Sequence, residues 1–343
     1  MIKALPYGFF LSLVFFLSTS FFKPKTHFFD LGFYNMENFF DTIDNPMKGD
    51  NEYLPQSKKN WDSKKYFHKV KRMSNAFDSL FLVAPGLFGF CEVENESVVK
   101  DMLKASGKKE SDFGILVTTE NDQRGMNAGL MYFKKQFSLK SWKTLNATVP
   151  EKPRHPTRDI LFAHLIFNNT TPVFVFVIHW PSRLKGENET EYRRKYAAAI
   201  MREHCDELLK TDPQARIIIM GDFNDYPTNS SLGLTLLAIA NPVGVREFYN
   251  PFYDLHLAGK GSHYYNGKWG FFDMILFSGA WLQEGSAMEL EKKSCRAFKS
   301  DFLLTTEKKT GEKVPYRTFA GLKYLNGYSD HLPVTSRIIY LNP

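Results

Sequence analysis

The run Ile217–Tyr226, IIIMGDFNDY, decides how the rest of the chain is read. Ile217, Ile218, Ile219 and Met220 form a short apolar stretch of the kind found in strands buried on both faces. Gly221 allows close approach to a neighbour, and Asp222, Asn224 and Asp225 follow before Pro227 ends any ladder. Residues two apart on an extended chain point the same way. Asp222 and Asn224 therefore present a carboxylate and a carboxamide side by side at a strand's exit. That pairing suits a hard cation, a water or a phosphate oxygen. It equally suits a plain polar turn, because Asp, Asn and Gly dominate turns. The rest of the chain has to decide.

At 343 residues the chain can bury a large core, as one big domain or two ordinary ones. Apolar residues make up 43% and charged residues 24%, a globular balance, and the net charge of +7 favours a polyanionic partner. Met1–Ser20 carries Lys3, then the apolar run Phe9–Leu17, then Ser18-Thr19-Ser20, the order of a secretory signal. Because apolar character resumes at Phe21-Phe22, an uncleaved membrane anchor is the alternative. Only Cys91, Cys205 and Cys295 occur, with no short spacing, which excludes a disulfide framework and a zinc ribbon.

Along the chain, His27–Phe33 reads as an aromatic strand running into Asn35-Met36-Glu37-Asn38. Tyr66–Leu82 reads as a helix with Phe67, Val70, Phe77, Leu80 and Phe81 inward and basic residues outside. Leu87–Phe90 is a buried strand that delivers Glu92, and Asn95 or Ser97 caps a helix over Val98–Ala105. A carboxylate at the end of an apolar strand is costly unless it faces water or a cation, so Glu92 is read as a ligand. Val173–Ile178, VFVFVI, is the most strand-like run, and it exits into His179. A helix over Thr190–Leu209 follows, with Tyr196, Ala199, Ile200 and Leu208 inward and its basic residues outward. Ser231–Ala240 reads as a short apolar helix, Phe271–Phe277 as a strand with Asp273 embedded, and Gln283–Leu325 as a charged surface excursion. No repeat and no Pro/Gly/Ser linker appears, so one domain over 26–343 is the simpler division.

Strand after strand thus releases polar residues at its end: Asn35, Glu92, His179, Asp222 with Asn224, Asp273, and Asp330 with His331. Turns rarely need His, Glu and an in-strand Asp, so the agreement points to a site. The strings YNMENFFD, FCEVEN, RGMNAGLMY, TRDIL, VIHWPSR, GDFND, FFDMILFS and GYSDHLPV, in this order from Phe28 to Val334, resemble the endonuclease/exonuclease/phosphatase superfamily. The resemblance implies an α/β (α+β) four-layer sandwich, two mixed β-sheets face to face with helices on both outer faces and the site at one rim. It implies Glu92 as the main carboxylate ligand of Mg²⁺ or Mn²⁺, with Asn35 and Asp330 at the same cation or its water shell. Asp222 and Asn224 would hold the scissile phosphate or orient water. His331 would be the general base or phosphate-contacting imidazole, steadied by Asp273, with His179 as the second histidine.

Asn127 occupies a position that is more often a carboxylate in such relatives, where it would pair with His179; an amide oxygen can still accept that bond. Cys91 replaces a common glutamine and is read as packing. Arg158 and Arg183 are read as phosphate contacts, with Asn127 and Arg317 beside them. The expected activity is a secreted or periplasmic, cation-dependent phosphodiesterase cutting DNA or RNA by in-line water attack, acting as a monomer. The alternatives are a phospholipid or inositol-phosphate headgroup at the same site, or a non-catalytic phosphate-binding relative.

Overall fold

The computed structural model describes residues 26–81, 85–119, 122–151, 157–184 and 186–341. The expected leader at 1–20 lies outside the described residues. The chain runs β1 (Thr26–Phe39), α1 (Ser63–Leu80), β2 (Pro85–Val93), α2 (Glu96–Ala105), β3 (Phe113–Val117) and β4 (Asn127–Phe133). Next come β5 (Phe137–Leu145), β6 (Ile160–Phe167), β7 (Thr171–His179), α3 (Glu187–Thr211) and β8 (Ile217–Asp222). Short elements follow: β9 (Ala238–Ile239), β10 (Phe248–Tyr249), α4 (Tyr253–Leu257), β11 (His263–Tyr265) and β12 (Lys268–Gly270), before β13 (Asp273–Ser278). The excursion carries β14 (Met288–Leu290), β15 (Arg296–Ala297), β16 (Leu304–Thr306), β17 (Lys313–Pro315), β18 (Phe319–Ala320) and β19 (Lys323–Tyr324), and β20 (Val334–Leu341) closes the chain.

Two mixed seven-stranded sheets result. One has the order β14-β20-β1-β2-β4-β3 with β15 also on β20, and the other the order β5-β6-β7-β8-β13-β10-β9. Alternation along each strand sorts side chains between two cores. Phe29, Leu31 and Phe33 of β1, Leu87 and Cys91 of β2, and Ala128 and Leu130 of β4 face the second sheet. Their neighbours Tyr34, Met36, Phe88, Phe90 and Met131 face the other way and pack with Val70, Met73 and Phe77 of α1 and Val98 and Met102 of α2. The strands β7 and β8 are apolar on both faces, and Val173, Val175, Ile178 and Ile217–Met220 are fully buried. A Cβ at Gly89 would strike the Met220 sulfur, so glycine lets the two sheets touch there. At Gly221 a Cβ would strike Ile178, the crowding expected of that position.

Four details differ from the reading of the sequence. The inward face of α3 is Ala197, Ala198, Met201, Cys205 and Leu209, one residue round from the expected stripe. Two of its arginines are buried as well, because Arg194 Nε meets Asp225 Oδ1 at 2.7 Å and Arg202 Nη1 donates to the carbonyls of Leu236 and Arg246. In α1, Phe67 is 58% exposed, whereas Tyr66 and Lys69 turn inward. The expected helix at Ser231–Ala240 is a single π-helical turn over Ser231–Leu236, ended by Leu237 in the left-handed region and followed by β9. The Asn95 cap is as expected, accepting from the Val98 N–H at 3.1 Å. Among the described residues no helix is long and apolar enough to cross a membrane.

Candidate active site

Strand register sets the site's floor. β7 ends at His179, β8 ends at Asp222 and β13 begins at Asp273, and the ladder pairs His179 with Asp222 and Asp222 with Asp273. Three polar residues therefore stand abreast at one rim of the second sheet, all nearly fully buried. On the first sheet, Asn35 of β1 pairs with Cys91 of β2, and both neighbouring ladders slip just beyond. The slip leaves Glu92 outside the ladder in left-handed conformation, φ 59°, with Glu37, Asn38 and Asn224 also left-handed nearby. Such backbone costs about 1–3 kcal/mol per non-glycine residue and persists only where its surroundings enforce it. Here the enforcement is visible. Glu92 Oε2 accepts from the Asn38 N–H at 3.0 Å and Oε1 from Asn35 Nδ2 at 3.1 Å.

Asn35 ties the sheets together, because the same Nδ2 donates to Asp222 Oδ2 at 3.0 Å. Its own oxygen accepts from the Glu37 N–H at 2.9 Å, which fixes the amide with its donor toward the two carboxylates. Asp222 also accepts from the Asn224 N–H at 2.9 Å, and Asn224 Nδ2 donates to the Trp180 carbonyl at 3.0 Å. Around Asp222 Oδ2 stand His179 Nε2 at 3.6 Å and His331 Nε2 at 4.0 Å, and His179 Nε2 is 3.7 Å from Glu92 Oε1.

The two histidines differ in support. His331 Nδ1 meets Asp273 Oδ2 at 2.7 Å, and Ser262 Oγ donates to the same oxygen at 2.6 Å. Its backbone N–H donates to Ser329 Oγ, which donates in turn to the Asn35 carbonyl. Burial works against an imidazolium, but Asp273, by charge and hydrogen bond, together with Asp222 and Asp330, holds His331 well above its ordinary pKa. His179 has no such partner. Burial, reinforced by the charges of Arg158, Arg124 and His331, pushes it well below the ordinary value, and its Nδ1 is buried without a hydrogen bond. Asn127 does not supply one: its Nδ2 donates to the carbonyls of Glu94 at 2.7 Å and Gly125 at 3.3 Å. The expected Asn127–His179 pair is thus corrected, because Asn127 Oδ1 faces Thr118 Oγ1 at 3.4 Å and His179 Nδ1 has no hydrogen-bond partner.

The expected basic contacts divide. Arg158 lies close by, its Nε 3.3 Å from Asp122 Oδ2 and its Nη1 donating to the Trp180 carbonyl at 3.4 Å. Arg183 is committed elsewhere, donating at 2.7 Å to the Asn224 carbonyl, Asp225 Oδ1 and Asn229 Oδ1, and pairing with Glu187 at 2.9 Å. It braces the loop after β8 instead of facing a substrate. Arg317, 46% exposed in its side chain, donates to Asp330 Oδ2 at 2.6 Å.

Residues unremarked in the sequence complete the floor. Glu37 accepts from the N–H groups of Thr318 and Phe319, and Lys69 Nζ donates to Thr318 Oγ1 and the Tyr328 carbonyl. Burial first, then the charge of Asp330, raises Glu37 to about 7, while burial lowers Lys69 to about 8. Spacing could have flagged Glu37, two residues beyond Asn35. Nothing local could have flagged Lys69, which sits among basic neighbours on a helix. Burial, only partly offset by the charge of His331, also raises Asp222 to about 7. Several desolvated carboxylates gather here, and their oxygens suit a hard divalent cation. Glu92 Oε1 and Asp222 Oδ2 are carboxylate oxygens of this kind, 3.7 and 3.6 Å from His179 Nε2.

The sequence model of the endonuclease/exonuclease/phosphatase family matches residues 30–341. The chain belongs to this family. Among solved structures, a family member from Bacteroides thetaiotaomicron superposes with TM-score 0.55 at 13% identity, covering 93% of this chain and 97% of that one. A mannosyl-6-phosphatase from the same organism gives TM-score 0.54 at 14% identity over 90% and 99%. D. rerio TDP2, solved with a single-strand DNA product, gives 0.52 at 12% identity over 91% and 98%. These likenesses show the family's sandwich fold. No curated protein matches the sequence.

Proposed function

We propose that the protein is an exported, divalent-cation-dependent phosphodiesterase whose substrate is nucleic acid. The observation that carries the reading is Asp222 Oδ2, which has Asn35, His179 and His331 all within 3.0–4.0 Å of it. Hydrolysis of a phosphodiester needs an aligned water, neutralised phosphate oxygens and help for the departing oxygen. Asp222, fixed by Asn35 and the Asn224 N–H, is placed to orient the water and take its proton. His331, steadied by Asp273, directs Nε2 toward the same space, where a phosphate oxygen would meet a donor. His179 presents Nε2 from the other side, and Arg158 adds positive charge behind it. A cation on Glu92 and Asp330 would supply Lewis acidity toward the phosphoryl group. The positive net charge supports a polyanionic substrate.

The test is a panel of plasmid DNA, single-stranded DNA, RNA, sphingomyelin, inositol phosphates and a sugar phosphate, with and without Mg²⁺. The sugar phosphate is included because a similar structure is a mannosyl-6-phosphatase. Nucleic acid should be cut fastest, EDTA should abolish turnover, and Glu92→Ala should match the EDTA result. Full activity after exhaustive chelation would remove the cation from the reading. Export is tested by N-terminal sequencing: the mature chain should begin shortly after Ser20, and an intact Met1 in a membrane fraction would mean an anchor.

A further inference from the structure

Cys91 places a soft donor at the floor of this pocket. Alternation along β2 turns Phe88 and Phe90 toward α1 and leaves Cys91 facing the second sheet, fully buried. Its sulfur, a ring nitrogen of His179 and a carboxylate oxygen of Asp222 lie within 4.8 Å of one another. Glu92 Oε1 joins them from the open side, 3.7 Å from His179 Nε2. His179 is 3% exposed, and its Nδ1 makes no hydrogen bond. One sulfur, one imidazole nitrogen and one carboxylate oxygen therefore converge, with Glu92 beside the imidazole.

Hard cations ignore thiols and ask for oxygen, whereas Zn²⁺, Cd²⁺ and Co²⁺ take sulfur, imidazole and carboxylate in four-coordinate sites. In such a site the metal lies about 2.3 Å from sulfur and about 2.0–2.2 Å from nitrogen and oxygen. The donor atoms already lie within 4.8 Å of one another and would draw together around the ion. We propose that Cys91, His179, Asp222 and Glu92 form a binding site for a thiophilic divalent cation, and that filling it excludes the oxygen-bound cation.

Binding is a substitution: the Cys91 S–H bond breaks, an S–metal bond forms, and one proton leaves to solvent with no change of oxidation state. His179, already neutral, contributes its lone pair without losing a proton. The ion enters from the Glu92 side, where the carboxylate is partly open, and Cys91 closes the floor. Exclusion follows because Glu92 would serve both ions. That second half rests on the cation reading above, while binding itself does not.

The experiment uses the metal-free full chain titrated with Cd²⁺ and with Co²⁺, followed by sulfur-to-metal charge-transfer absorption. Wild type should show a band saturating at one equivalent, with Cys91→Ser abolishing it and Cys205→Ser and Cys295→Ser retaining it. His179→Ala keeps the thiol, and should keep a band but weaken binding by at least about 100-fold. That variant tests the site even if Cys91→Ser does not fold. A wild type without a band, a band surviving Cys91→Ser, or unchanged affinity in His179→Ala would overturn the site. Excess Mg²⁺ should weaken Cd²⁺ binding competitively, and indifference to Mg²⁺ would overturn the exclusion. No catalytic activity is read, so failure of the phosphodiesterase reading leaves the titration interpretable.

Discussion

The pockets of His331 and His179 face the same oxygen of Asp222 from opposite sides and are built in opposite ways. His331 is held by Asp273 at 2.7 Å, by Ser262 through that carboxylate, and by Ser329 at its backbone. His179 follows the end of an apolar strand and has neither a carboxylate nor an amide on Nδ1. The consequence is electrostatic. One imidazole is held as a cation by its partners and the other is kept neutral by burial and neighbouring positive charge. Two like residues thus have unlike tasks: a positively charged donor on one flank and a neutral ring on the other.

The largest effect expected from this contrast is at His331. His331→Ala should lower kcat by at least about 10³, the level of a central acid–base group. Asp273→Asn should cost about 10², and it carries more information. Asp273 raises the His331 pKa, so its loss lowers that pKa and shrinks the imidazolium fraction at neutral pH. Activity of Asp273→Asn should therefore recover as pH falls, in a kcat–pH profile on an activated diester. Recovery as pH rises would mean that the neutral ring works as a base, and the charged-donor role would be lost.

A smaller effect is expected at the unsupported histidine. His179→Ala should lower kcat by about 10², the lower end for a group that handles a proton. Because His179 titrates below the ordinary histidine range, it is neutral at and above pH 7. The ratio of wild-type to variant kcat should accordingly be flat from pH 7 to the alkaline side, within the usual working range of His. A loss equal to that of His331→Ala, or one that varies with pH across this range, would erase the difference between the pockets.

How much of this was legible in the sequence follows the same division. Strand exits were readable, because apolar runs such as VFVFVI and IIIM end abruptly in His179 and Asp222. The Asp273–His331 pair was expected only from the family resemblance, and the structure brings the two together at 2.7 Å, because an acid embedded in an apolar strand requires a partner but does not name it. What could not be read is where long side chains go. Arg183 and Arg194 converge on Asp225 from a loop and a helix, and Lys69 crosses from α1 to Thr318 and Tyr328. These contacts span sequence separations that no local pattern encodes. The inward face of α3 was misjudged for the same reason, since buried ion pairs draw arginines into a face that hydrophobicity alone would leave outside.

The smallest catalytic effect, and the sharpest test of the comparison, is expected at Asn127. A carboxylate here would serve His179 only if the side chain reached Nδ1. Instead the amide protons go to the carbonyls of Glu94 and Gly125, and Thr118 Oγ1 lies 3.4 Å from Oδ1. The side chain lines a cavity of about 120 Å³ shared with Asp50, Glu94 and Lys48. Asn127→Asp would replace a donor by an acceptor facing two carbonyl oxygens, with two further carboxylates at hand. Leaving those buried acceptors unpaired should cost about 1–3 kcal/mol of stability, read as a lowered Tm. The kcat–pH profile should stay as in wild type, because no acid–base group gains a partner. A carboxylate that did reach His179 would stabilise its imidazolium and move the acid limb of the profile to higher pH. If that shift appears while Tm holds, Asn127 belongs to the His179 pocket, and that pocket is not the unsupported one described here.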